Sequence, residues 1–347
     1  MMALPKRITI KDVAEAAGVS TASVSQALRP RENSNIKLQE EKVQLIRDTA
    51  RRLNYRPHSG ARSIRSRRFG SIGYVEQMSP GRVYVPRAYQ HGVYDAIEEK
   101  DFRLTMIRIP KTVEEAQQQL PTALAELHLD ALIIESYSEL ASRIYDIYQD
   151  EQFPLLYLND KHELNSVFVQ EVEGASLLTE YALQKGYRRI AFVQRQIIGE
   201  PPLEKMHHSA RDRLAGYQNA LEKHGLKPNT LVIKSEAVIG RNAEINDEQW
   251  RKFDGFDALI AYDDDLANTI ARGCLKRGLD IPSQLAVAGF NGDYAALSAW
   301  KRLTTMRIPT YDMGLSIGRM AAERVTGQNK SLPSEGFVPS LIQGETL

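Results

Sequence analysis

The chain has 347 residues, too long for a typical single domain, and its 42% apolar content can build more than one hydrophobic core. Its 45 Lys+Arg against 44 Asp+Glu leave a net charge of +1, which taken alone argues against a nucleic-acid partner, and a lone cysteine, Cys274, excludes an intramolecular disulfide and any cysteine-based zinc site. No apolar run approaches the roughly 18 residues of a membrane span and no secretory segment opens the chain, so a cytoplasmic protein with no membrane partner is expected.

The charge is unevenly spread. Residues 1–70 hold 15 Lys+Arg and 6 Asp+Glu, a net of +9, while the rest holds 30 and 38, a net of −8. A basic front on an acidic body is the footprint of a DNA-binding module attached to something else.

The basic front begins with 10–29, IKDVAEAAGVSTASVSQALR. Ile10, Val13, Ala14 and Ala17 recur at helical spacing and give a short helix one apolar face. Thr9 can cap its start. Gly18 can end it, because glycine takes the left-handed conformation that a helix exit often needs. Val19 reads as a buried turn residue, and Ser20 as the N-cap of a second helix through Val24, Ala27 and Leu28. Two short helices joined by a Gly-containing turn make a helix-turn-helix, whose second helix lies in the DNA major groove with its N-terminal residues at base edges. The plainer alternative is an αα-hairpin in a small helical domain.

A polar loop, 29–37, leads to a third helix over 39–53, in which Val43, Ile46, Ala50 and Leu53 form the packing face. The run Asn54-Tyr55-Arg56-Pro57 breaks it, since the residue before a proline leaves the helical region. The next segment, 58–68 (HSGARSIRSRR), is short, basic and rich in small residues. It reads either as a plain linker or as a segment that becomes helical on DNA, with Ile64 as an apolar wedge in the minor groove and its arginines on phosphates.

From Phe69 the pattern changes. Strands are expected at 71–75, 104–109, 131–135, 155–158, 166–169, 190–194, 231–233, 258–262, 285–290 and 304–308. Helices are expected at 87–100, 113–127, 140–150, 174–185, 210–224, 248–253, 265–277 and 312–326. Strand–helix alternation with nearly continuous apolar strands means parallel sheets covered on both faces, and ten strands fit two sheets better than one. Open parallel sheets bind ligands at the carboxyl ends of their strands, so two that face each other make a cleft.

With these motifs in hand, the chain resembles the LacI/GalR family of bacterial transcription regulators over nearly its whole length. The carrying segments are TIKDVAEAAGVSTASVSQAL, LNYRPH, ARSI, GSIGYV, GYRRIAFV, ARDRLAGYQNAL, DALIAYDDDLA, AVAGFNGD and LTTMRIP, in that order. The resemblance implies a homodimer on a pseudo-palindromic operator, matching its two-fold symmetry. Its fold class is α/β: an all-α helix-turn-helix headpiece (1–57), a hinge (58–68), and a periplasmic-binding-protein-like core (69–347) of two doubly wound parallel-sheet subdomains. The N-subdomain is expected at about 69–164 and 311–330 and the C-subdomain at about 165–310 and 331–347, with chain crossings near Asn165, 290–293 and 327–332. The polar C-terminal tail, without heptads, points to a dimer rather than a coiled-coil tetramer.

By the same resemblance, Thr21, Ala22 and Gln26 read bases. Gln26 stands where the family usually has Arg; Gln prefers adenine or bonds singly, so a half-site that differs from the family's common one is expected at that step. Thr9, Ser20, Ser23 and Ser25 are candidates for phosphates, with helix capping as the alternative. Ala61, Arg62 and Ile64 match the minor-groove hinge, Ile64 replacing the family's leucine with a stiffer β-branched side chain.

In the cleft, Arg213 matches a family arginine whose planar fork binds sugar hydroxyls or an effector carboxylate. Asn291 and Asn159 stand where the family has aspartates, and Tyr262 where Asn is common. Asp263 either caps the following helix or touches ligand. Glu76, Gln77, Tyr84 and Tyr89 are expected on the opposite cleft wall. The carboxylate-to-amide changes suggest an altered effector, still a sugar or related metabolite, or a cleft that no longer takes the usual monosaccharides.

Other classes lack their marks. There is no G-x-S-x-G elbow, no G-x-G-x-x-G after a strand and no P-loop, so no enzyme and no cofactor are expected. His207-His208 reads as solvated surface, and Asp263-Asp264-Asp265 as three acids that do not converge on a metal. A solute-binding protein for uptake and an architectural DNA binder without effector control are the rival functions.

Overall fold

The computed structural model describes residues 8–28, 38–55, 68–77, 87–109, 128–135, 153–197, 207–235, 244–292, 301–327 and 329–347. They fall into two compact units that divide between Phe69 and Gly70. The expected helices 113–127 and 140–150, the hinge residues Ala61, Arg62 and Ile64, and Tyr84 lie outside the described residues.

Among the described residues the first unit holds three helices, α1 (Ile10–Ala16), α2 (Thr21–Leu28) and α3 (Glu40–Arg52). A capping box starts α1: the Asp12 amide donates to Thr9 Oγ1, and the Thr9 amide donates to Asp12 Oδ2 at 2.6 Å. Gly18 turns the chain at φ 62°, and the Val19 amide closes the turn onto the Ala14 carbonyl. The Ser20 hydroxyl then accepts from the Ser23 amide at 3.1 Å, capping α2. Val13, Ala14, Val24, Ala27, Ile46 and Ala50 form one small core, so the apolar stripes of all three helices converge. Arg47 of α3 also donates to the Ala27 carbonyl at 3.3 Å, near the end of α2.

The second unit contains two six-stranded sheets. The first is built from β1 (Ser71–Gln77), β2 (Arg103–Ile109), β3 (Ala131–Glu135), β4 (Leu155–Leu158), β5 (Ser166–Val169) and β11 (Glu335–Phe337). Its order is β11-β5-β4-β3-β1-β2, all parallel. The second takes β6 (Ile190–Ile197), β7 (Thr230–Ser235), β8 (Ala258–Ala261), β9 (Ala286–Asn291), β10 (Thr304–Arg307) and β12 (Ser340–Ile342). Its order is β12-β10-β9-β8-β6-β7, with only β12 antiparallel.

Side chains alternate across the second sheet as the pleat requires. Ile190, Phe192, Ala258, Ile260, Ala286 and Ala288 face one core; Ala191, Val193, Leu259, Ala261 and Val287 face the other. Both faces are buried, which is why these strands read as continuous apolar runs. Helices α5 (Glu171–Gln184) and α6 (His208–Lys223) pack together, and α8 (Asp264–Lys276) packs on β8 and β9. A short helix, α7 (Asp247–Trp250), seats Trp250 in the α8 core. On the first sheet, α4 (Arg87–Glu98) lies against α9 (Thr310–Thr326).

The crossings correct the expected boundaries. Residues 166–169 belong to the first sheet, because Ser166 and Val167 pair with Tyr157 and Leu158 while Val167 to Val169 also pair with 335–337. The first crossing therefore follows Val169 rather than Asn165. The second lies at Ile308-Pro309, after β10 has paired with β9, which agrees with the expected subdomain boundary at 310/311 and not with a crossing at 290–293. The third lies at Val338-Pro339, between β11 and β12, and not at 327–332. The two short strands β11 and β12 carry too little periodicity to be seen in sequence.

The α4–α9 contact depends on backbone approach. A Cβ at Gly314 would sit 2.2 Å from the Tyr89 carbonyl oxygen, and one at Gly92 would sit 2.2 Å from that of Tyr311. Gly314→Ala should destabilise the fold by about 1–3 kcal/mol, as forced overpacking does. Thermal unfolding checks this; an unchanged melting temperature would mean the helices are not in such close contact.

Candidate functional site

Two surfaces collect the polar residues singled out by sequence. On α2, Val24 and Ala27 point into the small core, which leaves Thr21 and Ala22 exposed and Ser25 and Gln26 half-buried. Thr21, Ala22, Ser25 and Gln26 share one helix face, since they stand one and four residues apart. The hydroxyl of Thr9 donates to Asp12 Oδ2 at 2.7 Å, and Ser20 and Ser23 share a hydrogen bond at 3.0 Å, so two of the four phosphate candidates, Thr9 and Ser20, also serve as caps.

The second surface lies at the carboxyl ends of the strands in the second unit. Arg213, on α6, has a side chain only 4% exposed. Its fork is filled by Glu171, the first residue of α5: Nε donates to Oε2 at 2.7 Å and Nη2 to Oε1 at 3.0 Å. Nη1 donates to the Tyr262 carbonyl at 2.7 Å, and the guanidinium lies 3.8 Å from the Phe290 ring centroid and 4.8 Å from that of Tyr262. Burial works against the charged form of Arg213, yet Glu171, with smaller help from Tyr262 and Asp263, more than restores it and raises its pKa.

Tyr262 follows β8, and its hydroxyl shares a hydrogen bond with Ser209 Oγ at 2.7 Å. Asp263 caps α8, accepting from the Leu266 amide at 2.8 Å, and its other oxygen lies 3.7 Å from Arg195 Nη2. Asn291 ends β9 with φ 117°, and Asn159 follows β4 with φ 60°. Both hold the left-handed region that asparagine tolerates better than most side chains. Asn159 is 7% exposed, and its Oδ1 has no hydrogen-bond partner. Glu76 is half-buried at the end of β1, in register with Glu135. Gln77 is the last residue of that strand, and its side chain lies outside the description.

Two expectations need correction. Tyr89 does not face the opening: it is 2% exposed in the core of the first sheet, with its hydroxyl 3.9 Å from Met313 Sδ. His207 and His208 are not solvated surface. A carbonyl can only accept, so His207 Nε2 carries a proton and donates to the Asn159 carbonyl at 2.6 Å, linking the two sheets' strand ends. Nδ1 accepts from the Ser209 amide at 3.3 Å, at the start of α6. The His208 ring lies 4.1 Å from that of His207, and its Nδ1 lies 3.4 Å from Asp212 Oδ2.

Sequence reasoning also missed Glu171, Ser209, Arg195, Glu135 and Asp160. Glu171 and Asp160 stand just beyond strand ends, which is the one signal that could have found them. Glu135 is buried and accepts from the Tyr74 hydroxyl at 2.5 Å, which together with burial pushes the phenol's pKa well up. Asp160 accepts from His162 at 3.1 Å. Burial raises its pKa, but the hydrogen bond from His162 and the charge of His162 outweigh this and leave the carboxyl below its usual value. No group of three His, Cys, Asp or Glu among the described residues is placed to hold a metal.

The model for bacterial regulatory proteins of the lacI family matches residues 9–58, and that for a periplasmic binding protein-like domain matches 179–347. The chain carries a lacI-family DNA-binding domain followed by a periplasmic-binding-protein-like domain, the make-up of LacI-family regulators. The regulator RegA of Clostridium saccharobutylicum is 26% identical over 97% of this chain and 98% of its own. GalR of Escherichia coli is 26% identical over 96% and 94%. Among solved structures, the Lac repressor bound to ONPG in its repressed state superposes with a TM-score of 0.78 at 20% identity, over 99% of this chain and 100% of that one. A CelR–cellobiose complex gives 0.67 at 19%, over 98% and 100%. The relatives are transcriptional regulators, and no helix among the described residues is long and apolar enough to cross a membrane.

Arg213→Met leaves Glu171 buried without its cation and should cost about 3–5 kcal/mol of stability, read by urea melts. The Asp160 carboxyl binds its proton less tightly when folded than when unfolded. Its contribution is therefore complete above the unfolded value of about 4 and is lost as pH falls through the lower folded value. The stability gap between wild type and Asp160→Asn should shrink on acidification from about pH 5 to about pH 3; a gap that widens would reverse the assigned sign.

Proposed function

We propose that the chain is a homodimeric, sequence-specific DNA-binding repressor whose operator affinity is set by a small molecule held between its two sheets. The observation that carries the reading is the α2 face of Thr21, Ala22 and Gln26, turned away from Val24 and Ala27 within the region that matches the lacI family. Thr9, Ser20, Ser23 and Ser25 then position the headpiece on phosphates, and Ala61, Arg62 and Ile64 enter the minor groove. The working division is headpiece 1–57, hinge 58–68 and core 69–347. The protein acts in the cytoplasm and carries out no catalysis.

A Lac repressor dimer has been seen bound to operator, and CelR with cellobiose, which supports the same two ligand classes here. The effector is a sugar or related metabolite, contacted by residues at the strand ends: Tyr262, Asp263, Asn159, Asn291, Glu76 and Gln77, with Arg213 holding the Tyr262 carbonyl from behind. A second reading, an effector outside the usual monosaccharides, is favoured by one observation: the fork of Arg213 is already occupied by Glu171. In either case the effector shifts a two-state equilibrium between subdomain arrangements, and operator affinity changes by a coupling energy of about 1–3 kcal/mol.

Selection of operators from random duplexes tests the DNA half. The wild type should prefer adenine at the step read by residue 26, and Gln26→Arg should move that preference to guanine by about 1–3 kcal/mol. A strict guanine preference in the wild type would refute the assignment of Gln26.

A further inference from the structure

We infer that Glu171 is a specificity-determining residue that closes the cleft to anionic effectors and leaves it to uncharged, polyhydroxylated ones. The inference deepens the functional reading above and rests on the strand-end cleft being the effector site.

Arginine is the side chain best suited to seize a carboxylate or phosphate, through two parallel N–H bonds. Here that fork is spent. Glu171, with a side chain 1% exposed, holds both Nε and Nη2 of Arg213, and the Tyr262 carbonyl takes Nη1. The faces of the guanidinium are covered by the Phe290 and Tyr262 rings. Arg195, at the end of β6, lies 3.7 Å from Asp263. Arg213 and Arg195 therefore each stand beside a carboxylate, whereas Arg307, the last residue of β10, is exposed in register with Asn291. An anion aimed at Arg213 would meet Glu171 rather than a free cation, and displacing Glu171 would strand a carboxylate out of reach of water.

The buried polar groups that remain are uncharged or amphoteric. Asn159 Oδ1 and His208 Nε2 are buried without a hydrogen-bond partner, while His208 Nδ1 lies 3.4 Å from Asp212 Oδ2. They flank His207: its Nε2 meets the Asn159 carbonyl at 2.6 Å and its ring lies 4.1 Å from that of His208. A buried acceptor without a donor is costly, and an amide oxygen beside an imidazole that can both give and accept suits hydroxyl groups. The neighbouring charges, Asp160, Lys161, His162, Arg211 and Asp212, form contacts among themselves.

The test compares isosteric ligands that differ by one carboxylate: D-glucose and D-galactose against D-glucuronate and D-galacturonate, with inorganic phosphate as a further anion. Calorimetry and thermal shift are run on the full chain as wild type, Glu171→Gln and the double variant Glu171→Gln/Arg213→Met. The wild type should not respond to the uronates or phosphate at millimolar concentration. Glu171→Gln should gain uronate binding by at least about tenfold, and the double variant should lose that gain.

If Glu171→Gln does not fold, Glu171→Asp replaces it: the shorter carboxylate can hold only one arm of the fork, and a smaller gain of the same sign is expected. Wild type binding a uronate or phosphate as tightly as the variants, or variants that gain nothing, would overturn the inference. A wild type that ignores both neutral sugars while Glu171→Gln gains the uronates upholds Glu171 as the gate and counts against the sugar effector alone.

Discussion

A guanidinium and a carboxylate, both almost wholly removed from water, face each other where the second sheet of the core ends. Arg213 and Glu171 can occupy that place only as a pair, because either charge alone in such a site costs several kcal/mol even after relaxation. Their two bonds tie the start of α5 to α6, and the third arm of the fork reaches the loop after β8. With Phe290 from β9 beneath the cation, one interaction fixes four elements at the ligand end of the sheet. The Tyr262 ring and the Ser209 hydroxyl bonded to it take their places around that anchor.

The rest of the cleft follows from topology. Parallel strands all release their chains at one end, so loops from two such sheets meet across a gap. The chain passes between the sheets three times, after β5, at Ile308-Pro309 and at Val338-Pro339, which keeps the two halves covalently tied at the side where ligand would sit. His207 adds a non-covalent tie by donating to the Asn159 carbonyl from the opposite sheet. A ligand that favours one arrangement of the halves acts on these ties, and the differential affinity it brings sets how far the equilibrium moves.

Much of this was legible in sequence wherever one physical pattern dominated. The capped helix pair around Gly18 is local chemistry, and the strands 131–135, 155–158 and 166–169 are continuous apolar runs bounded by turn residues; both stand in the structure as read. The failures have a common cause: they depend on partners distant in sequence. The strands 335–337 and 340–342 are too short to show a period and exist because β5 and β10 offer edges. Residues 166–169 carry nothing that says which sheet they join. His207-His208 looked solvated because two polar rings in a polar segment usually are. Arg213 stands out in sequence, but its partner Glu171, 42 residues away, does not.

The most direct measurement is operator affinity, by fluorescence anisotropy on a selected duplex, titrated with a panel of uncharged sugars and disaccharides at fixed salt. Salt must be held because phosphate contacts make affinity steeply salt-dependent. The account predicts that at least one uncharged ligand changes the dissociation constant by about 5–150-fold, the usual range of allosteric coupling. Tight, sequence-specific operator binding that no small molecule alters would contradict it, and would leave a DNA-binding protein whose cleft has no hold on its headpieces.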